Sequence, residues 1–132
     1  MKRILSIAII SFALFSCGGE QKTEAQIGQY TTIEVLELYN AGTVAKGEIV
    51  ELEVEIRNVG DYPLVIADIK PACNCTVSEF EREPIAPGAT TIVKASIDTD
   101  AVGKGVIKKP ITISANTRPS TTTVMLQATV ID

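Results

Sequence analysis

Between Val50 and Arg57 the chain alternates without a break. Val50, Leu52, Val54 and Ile56 are apolar, and Glu51, Glu53, Glu55 and Arg57 are charged. A period of two puts one set of side chains on each face of an extended strand, so the segment reads as a half-buried antiparallel strand. The pattern returns downstream. Val93, Ala95 and Ile97 share one face of residues 91–98, Ile111 and Ile113 carry a further strand, and Val124, Leu126, Ala128 and Val130 point one way along the last. A weaker strand over residues 33–38 opens the series, and the apolar run 64–69 reads as a strand crowded on both faces. Turn chemistry separates these segments at Asn58-Val59-Gly60-Asp61-Tyr62-Pro63, at Pro84-Ile85-Ala86-Pro87-Gly88 and at Val102-Gly103-Lys104-Gly105. The expectation is an all-β fold, an immunoglobulin-like β-sandwich of about seven antiparallel strands, because strands so spaced over about 100 residues suit two packed sheets. Aromatic residues are 5% of the chain and tryptophan is absent, so Val, Ile and Leu must fill the core.

The start of the chain obeys different rules. Lys2 and Arg3 precede an uncharged apolar run, residues 4–15, which has the length of a signal-peptide core and is too short to span a bilayer about 30 Å thick. Leu14-Phe15-Ser16-Cys17 follows, and it resembles the lipobox of bacterial lipoproteins. That resemblance implies a diacylglycerol on Cys17, cleavage before it, and acylation of the new amino terminus. Each buried methylene contributes about 0.8 kcal/mol, so two or more chains make a lasting anchor. Residues 1–16 are therefore expected to be a signal peptide and 17–30 a lipidated cysteine with a polar, flexible tether; 31–132 are expected to form the domain. In the familiar sorting rule Gly18, not being aspartate, points to the outer rather than the inner membrane of the cell envelope. Without the leader the chain has ten basic and sixteen acidic residues, a net charge of −6, which does not draw it to nucleic acid or anionic lipid. The membrane contact expected here is through the lipid alone.

Three short motifs recur in a fixed order. Asn58-Val59-Gly60-Asp61-Tyr62-Pro63-Leu64-Val65-Ile66 resembles Asn-Thr-Gly-x-x-Pro-Leu-x-Ile, Ala72-Cys73-Asn74-Cys75-Thr76 resembles Ser-Cys-Gly-Cys-Thr, and Pro84-Ile85-Ala86-Pro87-Gly88 resembles Pro-Ile-Pro-Pro-Gly. In this order they resemble the bacterial family called domain of unknown function 1573, over roughly residues 33–132. The resemblance implies an immunoglobulin-like sandwich related to pilus chaperones and major sperm protein, and no known activity. Ala72 and Asn74 depart from the family's usual Ser and Gly; Asn tolerates left-handed backbone better than most residues.

Cys73 and Cys75 are the one chemical constellation. Thiols at i and i+2 of an extended segment project to one side, with Cα atoms near the upper end of the disulfide window of about 4.4–6.8 Å. A strained, labile disulfide, a Cu(I) pair on two soft thiolates, and a shaped loop with no chemistry are three readings of the pair. Zinc would need further ligands, and the chain has no histidine, which also excludes serine and cysteine triads that use one. Glu51, Glu53 and Glu55 are spaced about 6.8 Å per step, close to paired-carboxylate spacing, but the pattern is that of any solvated strand face. Glu79, Glu81 and Glu83 read alike, with Phe80 as an exposed anchor beside them, and Asp98-Thr99-Asp100 reads as a strand-end turn.

The sequence thus predicts a membrane-anchored lipoprotein that is not an enzyme. Its domain binds or scaffolds another envelope protein or a surface ligand, through Cys73, Asn74, Cys75 and Thr76 and through Pro84, Pro87 and Gly88. No cofactor is expected. The alternative is a periplasmic redox or Cu(I)-handling protein acting through Cys73 and Cys75.

Overall fold

The computed structural model describes residues 26–72 and 75–132. Cys17, Cys73 and Asn74, the signal peptide and most of the tether lie outside these residues, and so do the expectations attached to them. Eight strands follow one another, and no helix occurs among the described residues: β1 (Ile33–Val35), β2 (Leu38–Ala45), β3 (Ile49–Asn58), β4 (Ile66–Pro71), β5 (Cys75–Glu79), β6 (Thr90–Asp98), β7 (Gly105–Ala115) and β8 (Thr121–Ile131). They form two four-stranded sheets, β1-β3-β6-β5 and β2-β8-β7-β4. The fold is the expected all-β, immunoglobulin-like sandwich.

One ladder departs from the antiparallel expectation: β2 runs parallel to β8, from Leu38 opposite Met125 to Ala45 opposite Ile131. The cause is a change of sheet. β1 pairs antiparallel with the end of β3, the chain crosses to the second sheet at Leu36-Glu37, and it keeps its direction, which is also that of β8. A bulge lies between Asn40 and Thr43, where Gly42 has φ 78° and donates its N–H to Asn40 Oδ1 at 2.9 Å. A left-handed backbone and a side-chain bond of this kind break the period-two pattern locally.

The core lies between the sheets. Val54 and Ile56 on β3, Val93, Ala95 and Ile97 on β6, Ile111 and Ile113 on β7, and Val124, Leu126, Ala128 and Val130 on β8 are all buried. These are the inward sets that alternation marks. Every buried hydrophobic residue among those described is Val, Ile, Leu or Ala. The run 64–69 is not a continuous strand crowded on both faces. Leu64 forms an isolated bridge with Ile85, β4 begins at Ile66, and a register shift between Ile66 and Asp68 turns Ile66 and Ile69 both inward while Ala67 and Asp68 stay exposed.

Two buried polar groups close the ends of the sandwich. At one end Asn58 is fully buried, and at the other Thr99 donates from Oγ1 to the carbonyls of Glu48 at 2.6 Å and Ala45 at 3.2 Å. Lys46 Nζ donates to the Val102 carbonyl at 3.0 Å beside it, so the turn after β6 is held from three sides. The chain joins the fold at the Asn58 end, where the Gln29 carbonyl accepts from Asn116 Nδ2 and Thr31 pairs with Thr117. Gln29 and Tyr30, expected in the tether, are already held by the domain.

Candidate functional site

The two loops singled out in the sequence do not form one surface. Cys75 is the first residue of β5 and lies opposite Ile97, near the last residue of β6, whereas Pro84–Gly88 leads into Ala89 and the start of β6 at Thr90. Seven residues of a strand, about 3.3 Å each, put more than 20 Å between them. Thr76 is exposed on an edge strand rather than in a loop. Pro84 is half-buried, Pro87 and Gly88 are exposed, and Gly88 donates its N–H to the Asn58 carbonyl at 2.7 Å. This turn is bound into the Asn58 end of the molecule.

Cys75 is half-buried and carries a free thiol among the described residues. Burial pushes its pKa above the ordinary value, and the Lys109 ammonium only partly opposes this. Desolvation penalises a thiolate, so the neutral thiol dominates at neutral pH. We predict that in a Cys73→Ser variant the alkylation of Cys75 by iodoacetamide is slower than that of free cysteine at pH 8, with its rise displaced to higher pH. A rate equal to or above that of free cysteine would show an activated thiol instead. The linkage has the matching sign: Cys75 supports the fold while neutral, and that support is lost as pH rises through its raised pKa.

Other candidates resolve into structure. Phe80 is half-buried, with the Arg82 guanidinium 4.5 Å from its ring centre. Asp98 Oδ1 accepts from the Asp100 N–H at 3.0 Å, which makes 98–100 a turn. Among the described residues no three His, Cys, Asp or Glu side chains are grouped to hold a metal ion.

The feature that the sequence reading missed is an open sheet edge. β1 covers only Ile56–Asn58 of β3, because the chain leaves the sheet after Val35. The next residue of β3 to face outward is Glu55, and the Tyr39 hydroxyl of β2 serves it. Tyr39 Oη accepts from the Glu55 N–H and donates to the Glu55 carbonyl, each at 3.2 Å. Backbone groups alternate sides along a strand, so the N–H and C=O of Glu53 and Glu51 face the same way, where no strand pairs with them among the described residues. Ile49, Glu51, Glu53 and Glu55 are exposed along this edge. A groove of about 360 Å³ runs beside it, lined by Glu34, Val35, Leu36, Tyr39, Glu53, Glu55 and Arg57. Chemically, this arrangement offers peptide hydrogen bonds, a short apolar lip and carboxylates at every second position. Only Tyr39 hinted at it, and it sits in a segment whose Asn40 and Gly42 hide the strand.

The comparisons agree with the fold. A structure from Porphyromonas gingivalis, of unknown function, superposes with a TM-score of 0.66 at 25% identity over 76% of this chain and 47% of that one. The secreted serine protease VesC of Vibrio cholerae has a part that superposes with a TM-score of 0.63 at 12% identity, over 77% of this chain and 24% of the protease. A PapD-like domain of human CEP192 matches at 0.56 and 13% identity, over 98% of this chain and 99% of that domain. The last two likenesses concern the fold alone. This chain spans less than half of the first two proteins. No curated protein matches it in sequence. The family model for proteins of unknown function DUF1573 covers residues 31–130, the whole sandwich, and the chain belongs to that family.

Proposed function

We propose that this is a lipid-anchored envelope protein, held by Cys17 at the outer membrane, whose sandwich is a non-enzymatic binding module. Its ligand is an extended segment of another envelope protein, which adds as a strand to the open edge of β3. The observation that carries this reading is the uncovered stretch Glu51–Glu53 beside a hydroxyl, Tyr39 Oη, that already stands in for a strand at Glu55. Strand addition draws affinity from main-chain bonds and selectivity from alternate side chains. Here the alternate side chains are Glu51, Glu53 and Glu55, so the segment that fits carries Lys or Arg at every second position. Charges on an edge also repel a second copy of the same edge, which keeps the module from pairing with itself.

A peptide alternating lysine and valine is a direct probe. Added to the full chain, it is expected to slow hydrogen exchange at the Glu51 and Glu53 amides and to bind more weakly as salt rises. The double variant Glu51→Lys, Glu53→Lys is expected to weaken binding about tenfold or more, equal to about 1.4 kcal/mol. Unchanged exchange at both amides under saturating peptide sinks the edge reading. No cofactor enters the proposal.

A further inference from the structure

We propose that the Asn58 end of the sandwich is a membrane-docking face, seated at the headgroup level of the bilayer. The inference rests on the lipid anchor at Cys17. Nine residue steps separate Cys17 from Gln26, the first described residue, and such a length reaches about 32 Å when fully extended and about 17 Å as a coil. The end at which the chain joins the fold is therefore held close to the membrane. The other end stands a full strand further out; the eleven residues of β8 alone measure about 35 Å.

What this near end displays suits an interface. Ile27, Tyr30, Val59 and Tyr62 are all exposed there, and Tyr30 and Tyr62 are the two exposed tyrosines among the described residues. They are not on loose loops. The Thr32 carbonyl accepts from the N–H groups of Val59 at 2.9 Å and Gly60 at 3.1 Å, which fastens the Tyr30 and Val59 segments together. Asn116 Nδ2 donates to the carbonyls of Gln29 and Pro63, tying in the Tyr62 loop. The Arg118 guanidinium lies over the Tyr30 ring at 3.9 Å, where it presents a cation at phosphate height. Tyrosine rings with an apolar body and a polar tip favour this zone. Among the described residues the opposite end has no exposed tyrosine; there Ile49, Val106 and Ile131 are exposed among the charged turn residues Lys46, Glu48, Asp98, Asp100 and Lys104. Asp61 and the Glu81-Arg82-Glu83 run keep the near end in the headgroup layer, since charges are costly in hydrocarbon. Docked in this way, the domain lies with its strands steep to the membrane and leaves the β3 edge open along its side.

The test uses the full chain, lipidated in its own membrane and reconstituted into vesicles of phosphatidylethanolamine and phosphatidylglycerol. The chain contains no tryptophan, so a Tyr62→Trp variant reports one place, and an Ile131→Trp variant reports the far end. Tyr62→Trp is expected to lose emission to lipids brominated near the headgroup and to be shielded from iodide; Ile131→Trp is expected to respond to iodide alone. Tyr30→Trp repeats the measurement should Tyr62→Trp fold poorly. Intact mass is read first. A lipid increment on Cys17 together with iodide-accessible probes at both ends overturns the docking and leaves the anchor standing. A probe at position 62 hidden from both quenchers means that protein covers this end, which also overturns it. The absence of a lipid increment overturns anchor and docking together.

Discussion

Replacing Asn58 by alanine is expected to lower the unfolding free energy by about 4 kcal/mol, against a total of roughly 5–15 kcal/mol for a domain of this size. The side chain is fully buried and uses every atom it has. Its Oδ1 accepts from Thr31 Oγ1 at 2.6 Å and from the Gly60 N–H at 3.2 Å, and its Nδ2 donates to the carbonyls of Tyr62 at 2.8 Å and Ile85 at 3.0 Å. One amide thus joins the entering segment, the turn after β3 and the turn before β6. Alanine leaves the Thr31 hydroxyl and the Tyr62 carbonyl without this partner, each such orphan costing about 1–3 kcal/mol, while the Gly60 N–H keeps the Thr32 carbonyl and the Ile85 carbonyl keeps the Leu64 N–H. Urea unfolding followed by circular dichroism measures the loss. Thr31→Val, which removes one of the four bonds, is expected to cost only about 1 kcal/mol. Near-equal values for the two variants would mean that Asn58 packs rather than ties.

The same cluster explains its neighbour. A glycine in a turn can take positive φ, yet Gly60 is not among the glycines that do. It is there for space: a Cβ would overlap Thr31 Oγ1 and lie 2.5 Å from the Thr32 amide nitrogen. The Asn-x-Gly segment of the family motif is therefore one device. Asparagine binds the crossing segment, and glycine lets that segment come close enough to be bound.

What could be read from the sequence was whatever depends on period alone. The inward residues of β3, β6, β7 and β8 follow from alternation because each lies in a long, unshifted antiparallel ladder, β3 with β6 and β7 with β8. β2 and β5 escaped because local features interrupt the period. In β2 the Asn40–Gly42 bulge does so, and in β5 a cysteine motif suggestive of a loop overlaps a strand that shifts register between Val77 and Glu79. The open edge on β3 is a fact about where β1 stops, and no property of Glu51 or Glu53 encodes that. Proximity failed for a similar reason. Cys75 and Pro84–Gly88 are close in sequence, but a whole strand, β5, runs out between them and carries them to opposite ends.

The alternation in β3 can be tested against itself, since two isoleucines stand on this one strand in opposite surroundings. Ile56 is fully buried, opposite Val35 on one side and Thr91 on the other, while Ile49 is 69% exposed on the open edge. Ile56→Ala removes packed methyl groups from between the sheets and leaves a cavity that two rigid ladders relax into only in part. The expected loss is about 2–5 kcal/mol. Ile49→Ala changes little in the folded state, and its effect is expected within about 0.5 kcal/mol. Because residue type, strand and substitution are the same, differences in β propensity cancel and the contrast measures burial. An Ile49→Ala loss approaching that of Ile56→Ala would show that something covers the β3 edge in solution. The covering element would then have to be displaced before any added strand could pair with Glu51 and Glu53.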